Sequence, residues 1–310
     1  MKIVILDALS LAEAFDFSAL EKMFDEVVIY KLTNTNEVDE RIKDADVVLS
    51  NKVLISASSM DLAKKLKYIG VLATGTNNVD LKAAAERNIT VKNVTRYSTQ
   101  SVSQHAFMYL LALLRKLPSY QNAAKNWDKS PLFCIHKEPI EDVHNKKLAL
   151  YGYGDLAKAF EKLLVAFGIE VMILERKDTA VIREGRVDFK EGIKECDVLS
   201  IHCPLDETNL ELFDRDVFME MKDGSYFINT ARGPLVNSKD LVNALESGKL
   251  AGAAIDVLVS EPAKSDDPIL NCKHPNLILT PHVAWASTEA ISILWDKTLK
   301  QLADFIKGQS

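Results

Sequence analysis

The feature that most constrains this fold is the alternation, along nearly the whole chain, of short β-branched runs with segments of helical periodicity. Such alternation predicts parallel strands joined by helices, and parallel sheets of this kind are covered by helices on both faces. The first series of predicted strands covers residues 3–7, 27–30, 47–51, 68–73 and 90–94. The second series covers residues 147–152, 170–175, 197–203, 225–231, 252–257 and 276–281. The sequence therefore predicts an α/β fold with two doubly wound, parallel-sheet domains.

The length of the chain also favours two domains, because 310 residues exceed the usual size of one. A final helical pattern at residues 289–306 follows the second series and is expected to pack on the first sheet. The first predicted domain therefore comprises residues 1–98 and 287–310, and the second comprises residues 99–286.

Between the two series, residues 101–117 form a helical pattern that is apolar on almost every face. A helix of this kind must be covered all round, either by both domains and a second subunit or inside one domain. Residues 122–143, which contain Trp127, Pro131 and Pro139, are predicted to form an irregular arm after it.

Composition and charge exclude several kinds of partner. The formal net charge is -6 and no basic stripe is present, which argues against binding to nucleic acid. The apolar start MKIVILD is too short for a secretory signal, and the most apolar later stretch, residues 106–114, is too short to span a bilayer. The four cysteines show no CxxC pairing, so neither a metal site nor disulfides are expected. We expect a cytoplasmic protein that binds neither nucleic acid nor membranes.

The stretch LYGYGDLAKAF, residues 150–160, has the spacing of a dinucleotide-binding turn between a strand and an amphipathic helix. Gly152 permits the tight turn, Gly154 lets the backbone approach a pyrophosphate, and the helix start supplies free N–H donors. Asp155 is an acid where phosphates would rest. We therefore expect backbone amides to hold the phosphates and the Asp155 side chain to turn outward. An ordinary βαβ unit with glycines for packing is the alternative.

The next strand ends at Glu175, 23 positions after Gly152, near the spacing at which an acid accepts hydrogen bonds from the adenosine ribose. This acid favours NAD over NADP. Arg176 and Lys177 follow directly, and a guanidinium there could accommodate a 2′-phosphate, so NADP stays open.

Three further stretches place reactive side chains just beyond strand ends, where open α/β sheets bind ligands. INTARGPLV presents Arg232, AAIDVLVSEP presents Asp256 and Glu261, and LILTPHVAWAS presents His282. Each residue alone is more often a surface or structural group. Together they supply a carboxylate binder, a general acid and an orienting carboxylate beside a nicotinamide site, which is what a hydride-transfer enzyme requires.

These motifs resemble those of the D-isomer-specific 2-hydroxyacid dehydrogenases over essentially the whole chain. The matching stretches are VLATGTNNVDLKAAAERNI, YGYGDLA, IHCPLDETN, INTARGPLVNSKDLVNALESGKLAGAAIDV, the later EP and TPHVAWAS. The HVAWAS ending is similar to the glycerate dehydrogenase, or hydroxypyruvate reductase, branch. The resemblance implies a flavodoxin-like substrate-binding domain, a Rossmann domain that binds NAD, and an active site in the cleft between them. From the apolar helix we also expect a homodimer formed through residues 101–117 and the following arm.

Carried over residue by residue, the resemblance implies that Arg232 binds the substrate carboxylate and 2-oxo oxygen. His282 then donates the proton, and Glu261 pairs with its imidazole. A carboxylate beside an imidazole favours the charged ring and fixes its orientation, and a guanidinium recognises a planar carboxylate bidentately.

The resemblance also implies the remaining contacts. Asp256 meets the carboxamide of the nicotinamide, and Asp155 and Ala157 depart from the residues usual in the family. The implied cofactor-binding positions are Tyr153, Gly154, Asp155, Leu156, Glu175, Arg176, Cys203, Pro204, Thr230, Ala231, Arg232, Asp256, His282 and Ala284. The implied substrate-binding positions are Asn51, Lys52, Ala73, Thr74, Gly75, Arg232, His282 and Trp285.

The predicted function is NAD-dependent reduction of a small 2-oxo acid, foremost hydroxypyruvate to D-glycerate, with glyoxylate to glycolate as a second reaction. A reductase of D-lactate type, or one for bulkier 2-oxo acids, is the alternative within the family. Formate dehydrogenases are less similar, because they carry a glutamine where this chain has Glu261. From another class, a non-catalytic NAD(H)-sensing interaction protein is the alternative. The family's corepressors of that kind have extra tails, whereas this chain ends soon after its last helical pattern.

Overall fold

The computed structural model describes residues 1–12 and 15–308, which fall into two compact units. Unit 1 comprises Met1–Ser98 together with Ala286–Ser310, and unit 2 comprises Thr99–Trp285. Gln309 and Ser310, which the first predicted domain includes, lie outside the described residues. Each unit contains one parallel sheet, so the predicted α/β class with two parallel sheets is confirmed.

The strands lie where the β-branched runs predict them, and each ends one or two residues earlier than predicted. The chain leaves the sheet early because polar side chains at the strand ends bind neighbouring backbone amides, as Asp7 and Asn229 do. The strands are β1 (Lys2–Ile5), β2 (Glu26–Ile29), β3 (Val47–Ser50), β4 (Tyr68–Val71), β5 (Thr90–Asn93), β6 (Lys147–Tyr151), β7 (Glu170–Leu174), β8 (Val198–Ile201), β9 (Ser225–Asn229), β10 (Leu250–Ile255) and β11 (Leu277–Leu279).

Helices connect most of these strands. They are α1 (Val38–Ile42), α2 (Ala57–Leu62), α3 (Leu81–Glu86), α4 (Thr99–Leu114), α5 (Leu117–Ala124), α6 (Asp155–Ala166), α7 (Phe189–Glu195), α8 (Arg215–Glu220), α9 (Ser238–Glu246), α10 (Pro268–Asn271) and α11 (Thr288–Lys307). Short 3-10 turns occur at Ala8–Ser10, Ser18–Lys22, Thr35–Glu37, Trp127–Lys129 and Gly233–Leu235.

Unit 1 is built on a five-stranded sheet with the order β2-β1-β3-β4-β5. The central strands β3 and β4 are buried along their whole length, so their side chains form the core on both faces. Helix α11 belongs to this unit: the ring of Trp295 lies 5.3 Å from that of Phe17, and the ring of Phe305 lies 4.8 Å from that of Tyr68.

Unit 2 is built on a six-stranded sheet with the order β11-β10-β9-β8-β6-β7. One face carries a core rich in aromatic rings, including Phe213 and Phe227, whose centroids are 5.7 Å apart. The other face is covered by α4 and α6, which share a buried cluster with β6.

Helix α4 is the apolar helix expected at residues 101–117, and its boundary differs from the prediction. It ends at Leu114, and Lys116 adopts a left-handed backbone conformation with φ 53° before α5 begins. Most of the apolar side chains of α4, among them Ala106, Leu110 and Leu113, are buried in the core of unit 2. The sequence left open whether both domains and a second subunit bury this helix, or one domain alone. Burial inside one domain accounts for most of it.

Over residues 1–12 and 15–308, none of the helices combines the length and apolar character that crossing a membrane requires. In the same residues, no group of three or more His, Cys, Asp or Glu side chains is placed to share a metal ion.

Candidate active site

The carboxyl edge of the unit 2 sheet gathers the predicted cofactor and catalytic positions. All its strands are parallel, so the segments after them emerge at the same edge. Strand β6 lies between β7 and β8, which makes its end the point where the strand order reverses and where open α/β sheets bind ligands. The glycine turn follows β6. The other positions follow in sheet order: Glu175 after β7, Cys203 and Pro204 after β8, Thr230 to Arg232 after β9, Asp256 after β10, and His282 to Ala284 after β11.

The turn after β6 requires glycine at its first position. Gly152 has φ 89°, and a Cβ atom there would come within 2.6 Å of the backbone nitrogen of Cys203. A Cβ on Gly154 would meet nothing within 4 Å, so the backbone is open to a ligand at this point. At this turn the segment after β8 comes close to the chain, and the backbone at Gly154 is open, as a dinucleotide phosphate needs.

The start of α6 differs from most other helix starts in the way its amides are satisfied. Seven of the eleven helices in the described residues begin at a side chain that accepts a hydrogen bond from the first turn, as Ser287 does for α11 and Asn237 for α9. At α6 the capping position is Gly154, which has no side chain to do this. Asp155 is exposed and Ala157 is fully buried, so the small residue packs against the sheet. Backbone donors and the positive end of the helix dipole are thus available to an anion.

Glu175, the acid expected at the adenosine ribose, is bound by an arginine that the sequence analysis did not single out. Its side chain is only 3% exposed, and both carboxylate oxygens accept hydrogen bonds from the guanidinium of Arg183, with Nε at 2.6 Å from Oε2. These bonds lower the pKa of Glu175 to about 2. Nothing local in the sequence marks Arg183, because it lies eight positions further along a loop.

The turn that carries Arg232 is held by Asn229. The side-chain amide of Asn229 donates to the carbonyl of Arg232 at 2.9 Å, and its oxygen accepts from the amide of Ala231 at 2.9 Å. Gly233 lies so close to the backbone of Leu258 that a Cβ would come within 2.0 Å of its carbonyl carbon. The Arg232 turn is therefore packed against the segment that leads to Glu261.

His282 and Glu261 form the pair that the sequence predicted. Nδ1 of His282 lies 2.6 Å from Oε2 of Glu261, whose other oxygen accepts from the amide of Leu258 at 3.2 Å. His282 has a left-handed backbone with φ 55°, an unfavourable conformation for a side chain of this size. Both residues line a cavity of about 270 Å³, together with Asp256, Leu279 and Thr280.

Asp256 holds the segment that carries His282. Its carboxylate is nearly inaccessible and accepts from the amides of Val283 at 2.9 Å and Ala284 at 3.0 Å. Its own carbonyl accepts from the amide of His282 at 2.7 Å. The hydroxyl of Thr280 also donates to the carboxylate. These bonds fix the left-handed turn at His282.

Two polar side chains of α4 extend this network. The hydroxyl of Tyr109 is hydrogen-bonded to that of Thr280, and Nε2 of His105 lies 3.3 Å from the same hydroxyl. Burial lowers the pKa of His105, although the charge of Asp256 opposes the shift. His105, Tyr109 and Thr280 were not predicted from the sequence as site residues. One sequence feature could have indicated them: His105 and Tyr109 place polar groups one turn apart on a helix that is otherwise largely buried.

The substrate positions predicted in unit 1 follow β3 and β4. Asp7 accepts from the amides of Asn51 at 2.9 Å and Lys52 at 2.7 Å, which fixes the turn after β3. Burial raises the pKa of Asp7, and these amide hydrogen bonds oppose the increase. After β4, the carbonyl of Ala73 accepts from the amide of Val94 at 3.0 Å.

The rest of the loop after β4 is held in the same way. The hydroxyl of Thr74 donates to the carbonyl of Val94 at 3.1 Å, and the side chain of Asn93 donates to the carbonyl of Thr74 at 2.5 Å. Both predicted loops are thus tied to neighbouring strands. In unit 2, Trp285 is partly exposed and follows the buried Ala284.

Comparison with known proteins gives one family for this chain. Residues 107–284 match the family model described as D-isomer specific 2-hydroxyacid dehydrogenase, NAD binding domain. The chain is 40% identical to a putative 2-hydroxyacid dehydrogenase of Haemophilus influenzae, over 99% of this chain and 98% of that protein. It is 35% identical to a hydroxypyruvate reductase of Blautia hydrogenotrophica, over 99% and 98% of the two chains. The crystal structure of the TT0316 protein from Thermus thermophilus is similar with a TM-score of 0.85 and 28% identity, over 99% of this chain and 97% of that one.

Proposed function

The chain belongs to the D-isomer-specific 2-hydroxyacid dehydrogenase family, and from this membership we propose that it interconverts hydroxypyruvate and D-glycerate, with glyoxylate as a second substrate. It carries the NAD-binding domain of that family and is an NAD-dependent oxidoreductase. The observation that carries the proposal is the 2.6 Å contact between His282 and Glu261, at the sheet edge that also presents the glycine turn.

His282 is the proposed proton donor in the reductive direction. Because Glu261 binds Nδ1, the ring orientation is fixed and Nε2 is left to face the substrate. As charge builds on the 2-oxo oxygen, Nε2 delivers its proton to that oxygen, and the neutral ring accepts a proton in the reverse reaction.

Arg232 is the proposed binder of the substrate carboxylate. Its Nη1 donates to the carbonyl of Ala231 at 2.7 Å, which fixes one side of the guanidinium and leaves its other donors for a ligand. Two parallel N–H donors match the two oxygens of a carboxylate, a geometry that lysine cannot offer. The turn held by Asn229 keeps this group at the sheet edge.

When bound, NADH supplies the hydride that reaches C2 of the substrate. The amides at the start of α6 are proposed to hold its pyrophosphate, since Gly154 leaves the backbone open there. The hydroxyl of Thr230 is buried and has no hydrogen-bond partner among the described residues, which makes it available to the dinucleotide. Asp256 already accepts from Thr280, Val283 and Ala284. We therefore assign it chiefly to holding the His282 segment, with the carboxamide contact as an additional role.

The choice of hydroxypyruvate is supported by the similarity to the Blautia hydroxypyruvate reductase over nearly the whole of both chains. It is also supported by the segment HVAWAS, in which the partly exposed Trp285 can shape a pocket for a short polar chain. Reduction of pyruvate or of bulkier 2-oxo acids is the alternative within the family.

The test is NADH oxidation with hydroxypyruvate, glyoxylate, pyruvate and a branched 2-oxo acid, and we expect the highest kcat/KM for hydroxypyruvate. Arg232→Ala should abolish turnover while NADH still binds, and His282→Ala should slow reduction by about two to four orders of magnitude. Arg87→Ala is the matched control, because Arg87 binds Asp61 in unit 1. Bound NADH without turnover on any of the acids would contradict the proposal and favour a non-catalytic sensing protein.

We also propose a homodimer formed through α4, α5 and the arm after them. Large apolar side chains are exposed along this segment, and Phe133 is 90% exposed. Such exposure is unusual in a monomer. The exposed residues are Met108, Leu117, Trp127, Leu132, Phe133 and Ile140. Sedimentation should show a dimer that Leu132→Asp with Phe133→Asp dissociates, whereas Leu32→Asp, at an exposed apolar position in unit 1, leaves the mass unchanged.

A further inference from the structure

The acid that the family motif assigns to the adenosine ribose is already occupied by the protein itself. A carboxylate has about four acceptor positions on its two oxygens. Oε1 of Glu175 accepts from the amide of Arg176 at 2.8 Å and from Nη2 of Arg183, and Oε2 accepts from Nε of Arg183 at 2.6 Å. Nε of Arg186 lies 3.8 Å from Oε2. Little acceptor capacity is left for the two hydroxyls of a ribose.

The loop that carries Arg183 is anchored so that this contact is built into the unit. The amide of Glu175 donates to the carbonyl of Val187 at 2.8 Å, and the amide of Val187 donates to the carbonyl of Ile173 at 2.9 Å. The guanidinium of Arg186 donates to the carbonyl of Leu174 at 3.1 Å. The chain therefore leaves β7 at Glu175 and returns to it at Val187, twelve residues later.

The charges at the end of β7 do not favour the rejection of a 2′-phosphate. The guanidinium of Arg183 offsets the charge of Glu175 directly, and Arg176, Lys177 and Arg186 add further positive charge nearby in the chain. The Arg183 side chain is 55% exposed, and only Nε and Nη2 face the acid. Its remaining N–H groups face away from Glu175 and match the oxygens of a phosphate.

We propose that Arg183 is a specificity-determining residue that lets the adenosine end of the site accept a 2′-phosphate, so that the protein binds NADPH as well as NADH. It acts by masking the acceptor capacity of Glu175, by cancelling its repulsion of the phosphate, and by offering free donors. The inference rests on the proposed use of a nicotinamide dinucleotide and adds a second form of that cofactor.

The experiment is a fluorescence titration of the full chain with NADH and with NADPH, without any 2-oxo acid. We expect the two Kd values of the wild type to lie within about tenfold of each other. Arg183→Gln should weaken the binding of NADPH and free Glu175 to bind the ribose of NADH. The ratio of the two Kd values should therefore change about ten- to a hundredfold in favour of NADH, which corresponds to one or two charge-assisted hydrogen bonds. Arg183→Lys keeps the positive charge but loses the paired N–H donors of the guanidinium. Its ratio of Kd values should lie between those of the wild type and Arg183→Gln.

Glu175→Gln and Arg87→Gln complete the set. Glu175→Gln removes the repulsive charge, so its ratio should move toward NADPH, whereas Arg87→Gln, at an ion pair in unit 1, should leave the ratio unchanged. Displacement of the bound dinucleotide by 2′,5′-ADP and by 5′-AMP assigns the effect to the adenosine end. The inference is overturned if the wild type binds NADH more than about a hundredfold tighter, or if Arg183→Gln changes both Kd values equally. Neither result depends on turnover, so the reaction proposed above is judged separately.

Discussion

The carboxylate of Asp256 accepts a hydrogen bond from the amide of Ala284 at 3.0 Å, across 28 positions of sequence, and so holds the turn on which His282 lies. Asp256→Asn replaces one acceptor oxygen with an amide donor that faces backbone N–H groups. We expect a loss of about 1–3 kcal/mol in the free energy of unfolding, the usual weight of an unsatisfied buried group. We also expect kcat to fall more than tenfold, measured by NADH oxidation and thermal unfolding.

Asp267→Asn is the control for that substitution. Asp267 is also buried and also accepts from backbone amides, those of Ile269 and Leu270 at the start of α10. Asparagine is a good residue at a helix start, so kcat should stay near the wild-type value. Equal losses of kcat in both variants would show that Asp256 has no special relation to His282.

Glu261→Gln should slow reduction without weakening the dinucleotide. The glutamine carries no charge and replaces a charge-assisted hydrogen bond to Nδ1 of His282 with a weaker one, so the imidazole is held less firmly. We expect kcat to fall at least about tenfold while the Kd for NADH stays the same, measured by NADH oxidation and fluorescence titration. A kcat equal to that of the wild type would mean that the pair only packs together.

Gly152→Ala should weaken dinucleotide binding while the fold remains. The added methyl would stand 2.6 Å from the nitrogen of Cys203, and alanine is strained at φ 89°. Fluorescence titration with NADH should show at least about a tenfold higher Kd, the effect of losing about 1.4 kcal/mol. Gly248→Ala also has positive φ but meets no atom within 4 Å, and it should leave a far smaller defect.

The stability of the protein should fall between pH 6.5 and 4 because of His202. Burial lowers the pKa of this imidazole to about 4, and Nδ1 has no hydrogen-bond partner among the described residues. Below the ordinary value near 6.5 the unfolded chain takes up a proton that the folded protein does not, so the contribution of His202 is complete above that pH and is lost on acidification.

This loss amounts to at most about 3 kcal/mol, and His202→Phe should remove that part of the pH dependence, measured by chemical unfolding at pH values across the window. The phenyl ring can keep the contact with Phe160, whose ring lies 5.4 Å from the imidazole. His144→Phe, at an exposed position outside the arm, is the control. If the free energies of unfolding of the wild type and His202→Phe differ by the same amount at every pH, the assignment is contradicted.

Asp7→Asn should affect the 2-oxo acid and not the dinucleotide. Asp7 holds the amides of Asn51 and Lys52, two of the predicted substrate contacts in unit 1, and an amide donor in its place opposes at least one of these bonds. We expect a rise in KM for hydroxypyruvate of about tenfold, with the Kd for NADH unchanged. A parallel rise in both constants would mean that unit 1 has lost its fold.

Much of this molecule could be predicted because its signals are local. The β-branched runs mark the strands, and Gly152 marks a tight turn that a residue with a Cβ cannot make without strain. Since the strands are parallel, knowing where each one ends also predicts which side chains share an edge. The pair of His282 and Glu261 could be proposed from that reasoning and from family motifs, without any knowledge of the contacts.

The contacts that tune the site could not be predicted in this way. Tyr109 reaches Thr280 across 171 positions, and Arg183 covers Glu175 from a loop with no regular pattern. Such pairings leave no periodic trace, because they depend on how helices and loops fold back over the sheet. The sequence alone determined the class of fold, the glycine turn and the order of the reactive residues. Tertiary structure alone decided which partners hold His282 and mask Glu175, because hydrogen bonds between distant segments exist only once those segments are packed.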